Sequence, residues 1–298
     1  ARRYHKNRQI PLCIRKRGFS CSCDGIAKIN RITKNGKIQK GWIIIMEIGA
    51  QLYTVRDYAK TTEDFAETLK KIADIGYRIV QVSGTCGYEP EWLAEQLKAT
   101  GLKCVLTHYN LDKIKKEPEQ TVAAHKLFDC KYIGIGCMPG GLERPEIYDN
   151  FVSDFHAPAK IMAENGALMM YHNHHFEFMR SNNGKLYLER LAEDFTPEEL
   201  GFTLDTYWVQ YSGGNPAEWI QKFSGRVPCI HLKDLAIVNR EQRMAVVGEG
   251  NINFDAVLNA AESAGTEYAL VEQDSCYDEN PFDCLKRSYQ NLVSMGLK

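Results

Sequence analysis

From Met46 onward the chain repeats one unit: an amphipathic helix, a glycine, two or three residues and then a short apolar strand. Gly76 precedes the strand predicted at 79–83, and Gly101 precedes the strand predicted at 103–108. A glycine just after a helix adopts the left-handed conformation that lets the chain turn back. Apolar strands that alternate with helices indicate a parallel sheet covered on both faces.

The repeat predicts where each strand lies in the sequence. The predicted strands lie near residues 47–53, 79–83, 103–108, 132–136, 168–173, 201–205, 228–233 and 268–272. Seven helical stretches separate them, and an eighth at 281–295 closes the chain. Residues 46–298 are therefore predicted to form one α/β domain, a (β/α)8 TIM barrel. The rival is a doubly wound open sheet, which needs a Gly-rich phosphate loop after its first strand, and residues 51–56 do not supply one.

Residues 1–45 differ from the rest in composition. They hold twelve Lys or Arg residues and one acid, Asp24, without sustained helical or strand periodicity. We expect a disordered basic extension, and our hypothesis is that it is not native protein, because Met46 opens a clean strand. An organelle transit peptide and a nucleic-acid-binding arm are the alternatives.

The charge of the remaining residues limits the partners of the barrel. They hold 25 basic and 37 acidic residues, a balance that repels a phosphate backbone, so nucleic acid is not an expected partner. No apolar run approaches the ~20 residues of a membrane-spanning helix. Scattered cysteines without a CxxC pair indicate free thiols and a cytoplasmic location. A homo-oligomer is compatible with this composition.

Ionisable residues gather where four consecutive strands end. Strand 5 runs into His172 and His174, strand 6 ends in Asp205, strand 7 in His231, and strand 8 in Glu272. The carboxyl ends of TIM-barrel strands meet in one site. A mixed nitrogen and oxygen ligand set suits one divalent metal ion: Mn²⁺, Zn²⁺, Co²⁺, Fe²⁺ or Mg²⁺.

Alternation along strand 5 puts His172 and His174 on one face, so either could be the ligand, and His175 on the other. His125 and His156 fall in predicted helices and are expected at the surface. Acyl transfer is not expected, because a nucleophile-elbow sequence is absent.

These motifs resemble the xylose isomerase-like TIM barrels, which include sugar phosphate isomerases and epimerases and share a superfamily with endonuclease IV. The resemblance covers essentially all of 46–298. The motifs that carry it are residues 51–56, 171–174, 204–206, 231–234 and 272–274.

The resemblance to ketose 3-epimerases implies a metal held by Asp205, His231, Glu272 and a residue of strand 5. In those epimerases the strand 5 ligand is Glu, whereas this chain has a His, which is closer to the inosose dehydratases. A second Glu that contacts substrate in the epimerases matches Glu177. Trp208 stands where they carry His. A three-zinc endonuclease IV site is not expected, because ligands for two further ions are missing.

The hypothesis is a divalent-metal-dependent isomerase or epimerase acting on a small-molecule carbohydrate, a sugar, keto-sugar or cyclitol, through an enediolate. Dehydration of a keto-sugar is the alternative. A non-catalytic sugar-binding barrel and an endonuclease IV-like nuclease are two further alternatives. The predicted catalytic residues are Glu272, Glu177 and Lys233, although a surface position is an equally good interpretation of Lys233. The predicted substrate-binding residues are His108, Trp208, Tyr53 and Glu249.

Overall fold

The computed structural model describes residues 26–32, 38–44 and 46–297, in two compact units that divide at residues 44 and 45. In the first unit, β1 (Ile26–Ile32) and β2 (Ile38–Ile44) pair antiparallel. These strands differ from the expected absence of regular structure before Met46. Ladder pairing satisfies backbone groups without an alternating sequence pattern, so periodicity does not reveal these strands. The expectation for the first 25 residues lies outside the described ranges.

The second unit is a closed barrel of parallel strands. Its strands are β3 (Glu47–Gln51), β4 (Ile79–Val82), β5 (Lys103–His108), β6 (Tyr132–Ile135), β7 (Leu168–His172), β8 (Leu200–Asp205), β9 (Cys229–Leu232) and β12 (Tyr268–Val271). Each pairs with its neighbour in chain order, and β12 closes the ring by pairing with both β9 and β3. The predicted (β/α)8 barrel is therefore confirmed, with each strand end within two residues of its predicted position.

Helices surround the barrel. They are α1 (Thr62–Ile75), α2 (Pro90–Thr100), α3 (Leu111–Lys116), α4 (Pro118–Lys126), α5 (Pro145–Glu164), α6 (Tyr187–Asp194), α7 (Thr206–Tyr211), α8 (Pro216–Lys222), α9 (Phe254–Ala264) and α10 (Pro281–Ser294). Several begin with proline, where the missing N–H has no intrahelical partner to lose. Between β9 and α9 the chain adds a hairpin, β10 (Asp234–Val238) and β11 (Glu241–Ala245).

The barrel interior is filled in layers. A lower layer is apolar and comprises Ile79, Leu106, Tyr132, Met170, Cys229 and Leu270. Glycines let these side chains approach the strands: a Cβ on Gly49 would lie 2.5 Å from Leu270, and one on Gly201 would lie 2.6 Å from the Met170 sulfur. Because side chains alternate along a strand, the residue two positions further on also faces the interior, one layer nearer the carboxyl ends. That next layer is polar.

Three expectations from the sequence can be compared with the structure of the second unit. Its seven cysteines, among them the buried Cys104 and Cys229, are free thiols, as expected. Among the described helices, none is long and apolar enough to cross a membrane. The surface position predicted for His125 is wrong: its ring is fully buried, with Nε2 2.9 Å from Thr107 Oγ1 and Nδ1 2.7 Å from Thr121 O. These two partners satisfy both ring nitrogens, which makes burial possible.

Candidate metal centre

Several buried side chains of the polar layer follow an apolar interior residue by two positions. Gln81 follows Ile79, His172 follows Met170, His231 follows Cys229, and Glu272 follows Leu270. The ring of strands therefore brings residues distant in sequence together above the apolar floor.

Three of these side chains form one compact group with Asp205, which ends β8: the group is His172, Asp205, His231 and Glu272. One ligand atom from each lies within 4.8 Å of all the others, and all four residues are buried. Asp205 Oδ2 is 3.2 Å from His172 Nε2 and 3.8 Å from His231 Nδ1. Glu272 Oε2 is 2.9 Å from His231 Nδ1. The structure thus brings together four of the five predicted metal ligands, and the fifth, His174, is not in the group.

Neighbouring groups form hydrogen bonds with the outer atoms of these ligands, which are the atoms that point away from the centre of the group. His172 Nδ1 lies 2.9 Å from Gly136 O, and His231 Nε2 lies 2.6 Å from Gln81 Oε1. Since carbonyl and amide oxygens only accept, these outer nitrogens carry the hydrogens. In the neutral rings, the inner nitrogens then keep their lone pairs.

The carboxylates are held in the same way. Gln51 Nε2 donates to Glu272 Oε1 over 3.0 Å. The backbone N–H of Trp208 donates to Asp205 Oδ1 over 3.0 Å. Each carboxylate therefore keeps one oxygen, Oε2 or Oδ2, for the centre of the group.

The inner atoms fit a metal ion. Two imidazole lone pairs and two carboxylate oxygens converge, and such atoms repel each other unless a cation lies among them. Nδ1 of His231 and Oε2 of Glu272 are buried and lack an aligned hydrogen-bond partner among the described residues. Ligands of one ion with bonds of about 2.1 Å lie at most about 4.2 Å apart, close to the observed spread. The group could therefore hold one divalent ion.

Lys233 is the cation that contacts this group in the structure. Its ammonium is 1% exposed and lies 3.0 Å from Asp205 Oδ2, 2.9 Å from Glu272 Oε2 and 3.0 Å from Asp274 Oδ1. The surface interpretation of Lys233 is therefore wrong. A side chain that follows a strand end can turn inward when carboxylates compensate its charge.

The charges in the group shift each other's protonation. Burial alone would raise the pKa of Asp205 and Glu272, but the Lys233 ammonium and the neighbouring imidazoles outweigh burial and lower both pKa values. Burial would lower the pKa of Lys233, but the three carboxylates raise it. Burial and the Glu272 charge raise the pKa of Asp274 to about 7. Asp205 and Glu272 are therefore ionised and Lys233 is charged near neutral pH.

His174 lies beside the group without joining it. Its ring centroid is 4.8 Å from that of His172 and 5.3 Å from that of Trp208. Its Nδ1 and the Nε1 of Trp208 are buried without a hydrogen-bond partner among the described residues. Burial and His172 lower the pKa of His174 to about 3, so the ring is neutral. Trp208 is also 5.6 Å from the Lys233 ammonium, so this predicted substrate-binding residue adjoins the centre.

His108 also lies beside the group. Its ring centroid is 5.3 Å from that of His172 and 5.8 Å from that of His231. Tyr53, the other aromatic predicted to bind substrate, is more peripheral: its ring is 37% exposed, with the Arg56 guanidinium 4.4 Å from the ring centroid.

Two predicted acidic residues lie outside the group. Glu177 is fully buried and accepts hydrogen bonds from the Tyr171 hydroxyl over 2.6 Å and from the His174 N–H over 2.8 Å. Glu249, predicted to bind substrate, instead pairs with Arg287 of α10 at 2.9 Å in a partly exposed ion pair. The glycines that flank Glu249 are held by Asp234, and this turns its side chain toward α10.

Four further residues contact the site but were not predicted from the sequence: Gln51, Gln81, Asn173 and Asp274. Oδ1 of Asn173 accepts the Asp205 N–H over 3.1 Å, and the other three contact Glu272, His231 and Lys233. For Gln81 a signal existed: a polar residue inside an apolar strand, two positions beyond an interior isoleucine. Asp274 lies in a loop, where alternation gives no direction.

A barrel closed by eight parallel strands, with a buried polar group at their carboxyl ends, defines the class of this protein. The family model for the xylose isomerase-like TIM barrel matches residues 69–283. The chain belongs to this family, as its motifs indicated.

Proteins similar to this chain include a dehydratase and two solved structures of an isomerase/epimerase and an epimerase. An inosose dehydratase of Geobacillus thermodenitrificans is 24% identical over 267 residues, covering 76% of this chain and 88% of the relative. A sugar phosphate isomerase/epimerase from Parabacteroides distasonis superposes with a TM-score of 0.70 at 20% identity, covering 84% of this chain and 94% of that chain. An L-ribulose 3-epimerase superposes with a TM-score of 0.65 at 14% identity, covering 85% and 95%. At these identities the superpositions show the shared fold.

Proposed function

We propose that the protein is a divalent-metal-dependent isomerase or epimerase that moves a proton at a carbon beside the carbonyl of a sugar, keto-sugar or cyclitol. The convergent group of His172, Asp205, His231 and Glu272 carries this proposal. Its two nitrogen and two oxygen ligands suit Mn²⁺, Zn²⁺, Co²⁺ or Fe²⁺ better than an all-oxygen site would. Such an ion supplies Lewis-acid polarisation of a carbonyl oxygen, which acidifies the neighbouring C–H.

The side chains around the group would do the rest of the chemistry. Glu272 is ionised and would accept the proton, while its Oε1 is kept in place by Gln51. Lys233 brings a buried positive charge to within 2.9 Å of Glu272 and would stabilise the negative oxygen of an enediolate. Near Lys233, the Nε1–H of Trp208 has no hydrogen-bond partner among the described residues. It can only donate and would bind a substrate oxygen.

We assign Glu177 a positioning role. Both of its carboxylate oxygens are already used, by the Tyr171 hydroxyl and the His174 N–H. A carboxylate with both oxygens engaged and no exposed surface is poorly placed to take a proton from carbon. Glu177 would instead hold His174 beside the centre.

Dehydration of a keto-sugar is the second candidate, and one observation favours it. The resemblance to ketose 3-epimerases implies a pair of carboxylates for two-sided proton transfer. In this chain the strand 5 ligand is His172, so Glu272 has no metal-bound partner of that kind. Elimination of water needs one base at carbon and an acid for the leaving hydroxyl. Glu272 and Lys233 could fill these two roles.

Metal analysis followed by NMR in D₂O tests the proposal. We expect one divalent ion per chain, lost in Asp205→Asn, and metal-dependent entry of deuterium beside the carbonyl of at least one ketose or inosose. A dehydratase would instead produce a new dicarbonyl or olefinic signal with loss of a C–O carbon. Stoichiometric metal without either signal would contradict both catalytic functions and favour a sugar-binding barrel.

A further inference from the structure

A cavity lies beside the metal centre, between the segments that follow β4 and β5. Residues 82–88 form one wall, and residues 108–110 with Lys113 form the other. Its volume is about 350 Å³, which is within the range of small-ligand pockets. We call this cavity the β4–β5 groove. None of the four candidate metal ligands lines it, so its volume is additional to the space above the metal centre.

His108 is the wall that the groove shares with the metal centre. Its ring lies 5.3 Å from that of His172, and its Nδ1 is 3.2 Å from the Ser83 hydroxyl, which belongs to the groove. Nε2 of His108 is buried without a partner among the described residues. A molecule bound over the metal centre and a group bound in the groove would therefore be separated by about one imidazole ring.

The lining of the groove has the chemistry of a site for a neutral hydroxylated ring. Tyr88 and Tyr109 supply partly buried aromatic surface, and Ser83, Thr85 and Asn110 supply polar groups. Oδ1 of Asn110 accepts the N–H of Lys113, which leaves its amide NH₂ as a donor. Apolar and aromatic surface with a few placed polar groups is the usual composition of a small-molecule site.

Charge argues against an anionic occupant. Of the described residues that line the groove, Lys113 alone brings a formal charge, and its side chain is exposed. Its ammonium lies 6.0 Å from the Tyr109 ring centroid, at the outer limit of a cation–π contact. A phosphate or carboxylate site would need several convergent donors or charges.

We propose that the β4–β5 groove binds a second, neutral hydroxylated ring attached to the reacting sugar, so that the substrate is a disaccharide or a glycoside rather than a free monosaccharide. This inference rests on the proposed function, because it takes the metal centre as the place where the reacting ring binds.

Gly87 offers a way to fill the groove without touching the metal centre. A Cβ built on Gly87 meets no heavy atom within 4 Å, and its φ lies outside the left-handed region. Gly87→Trp should therefore fold normally while its indole occupies the groove. Gly87→Ala, which adds one methyl group in the same place, is the matched control.

The test compares D-fructose with four glucosyl-fructoses, turanose, maltulose, leucrose and palatinose, which carry the second ring at different hydroxyls. Calorimetric titration of the metal-loaded protein should show at least one disaccharide binding about tenfold more tightly than D-fructose. Gly87→Trp should lose that gain and keep its D-fructose affinity within about twofold, and Gly87→Ala should behave as the wild type. Equal affinity for D-fructose and all four disaccharides, or a gain that survives in Gly87→Trp, would overturn the proposal.

The deuterium experiment separates this inference from the proposed function. If Gly87→Trp and wild type exchange deuterium into a free ketose or inosose equally and no disaccharide binds more tightly, the groove proposal fails and the proposed function stands. If a disaccharide binds more tightly through the groove but no substrate exchanges deuterium or eliminates water, the proposed function fails, and the groove is a site for the second ring of a bound disaccharide that does not react.

Discussion

His231 and Gln81 are joined inside the barrel by a contact of 2.6 Å between Nε2 and Oε1, with both side chains fully buried. The contact fixes the tautomer of the imidazole, because an amide oxygen can only accept. The lone pair of His231 is therefore on Nδ1, the atom that lies 2.9 Å from Glu272 Oε2. Through this contact Gln81 determines which nitrogen is available to a metal ion.

Removing that acceptor should weaken metal binding. We expect Gln81→Leu to lower the affinity for Mn²⁺ or Zn²⁺ by about 10- to 100-fold, the usual effect of losing a group that orients a metal-bound His. Gln81→Glu, which keeps an oxygen in reach of Nε2, is the control and should retain more of the affinity. Competition with a chromophoric chelator measures both constants. Equal affinity in Gln81→Leu and wild type would show that Gln81 does not orient the ligand.

Lys233 should contribute strongly to the stability of the metal-free protein. Lys233→Met leaves the buried carboxylates of Asp205 and Glu272 without their counter-charge, so we expect it to lower the free energy of unfolding by about 3–5 kcal/mol. Because a divalent ion supplies charge to the same carboxylates, added metal should stabilise Lys233→Met more than the wild type.

Lys131 offers the matched control for this experiment. It pairs with Glu267 at 3.3 Å and its side chain is 55% exposed, so Lys131→Met should cost only about 0–1 kcal/mol. Urea unfolding with and without metal measures all three proteins. Similar losses in the two variants would mean that the Lys233 contacts do not contribute to stability.

Glu177 should make stability depend on pH. Burial raises the pKa of Glu177 in the folded protein from 4.5 to about 7. Between pH 4.5 and pH 7 the Glu177 carboxyl is therefore ionised in the unfolded chain but still protonated in the folded protein. The contribution of Glu177 is therefore fully present below about pH 4.5, is lost as pH rises and levels off above about pH 7, with a total change of about 2–4 kcal/mol.

Glu177→Gln cannot ionise and should lack this pH dependence. Unfolding of both proteins at several pH values gives the difference in free energy, in which contributions common to both cancel. Wild type should lose stability relative to Glu177→Gln between about pH 4.5 and pH 7. A constant difference across this window would contradict the raised pKa.

The fold was predictable because its signals are local. Apolar strands, glycines after helices and the repeat of one unit are all visible within about 30 residues, the length of a single βα unit with its loops. The positions of Asp205, His231 and Glu272 followed from ring closure, since each lies at or within two residues of the end of a predicted strand. Such residues have their direction set by the strand itself.

The residues whose surroundings the sequence did not predict depend on contacts between distant segments. Alternation alone gave His172 and His174 the same face, but the chain leaves β7 at His172, so His174 no longer follows strand geometry. His125 is buried because of Thr107 on another element. Glu249 turns to Arg287, 38 residues away. Periodicity within one element cannot report such partners.

Asp234 likewise contacts a segment that is distant in the sequence. Its carboxylate accepts the N–H groups of Leu235, Gly248, Gly250 and Ile252, at 2.8–3.2 Å. It therefore ties the segment 248–252 to the start of β10. A Cβ on Gly250 would lie 2.4 Å from Asp234 Oδ1 and 2.6 Å from Leu235 O, so there is no room for a methyl group.

Gly250→Ala should push this segment away from Asp234 and lower the free energy of unfolding by about 1–3 kcal/mol. Because the freed N–H groups would meet water, the amides of residues 248, 250 and 252 should exchange hydrogen faster. Gly87→Ala is again the control: its methyl group meets open space, and its stability should stay within about 0.5 kcal/mol of the wild type. If the two alanine variants were equally stable, with unchanged exchange at residue 250, the segment could shift without losing its bonds to Asp234.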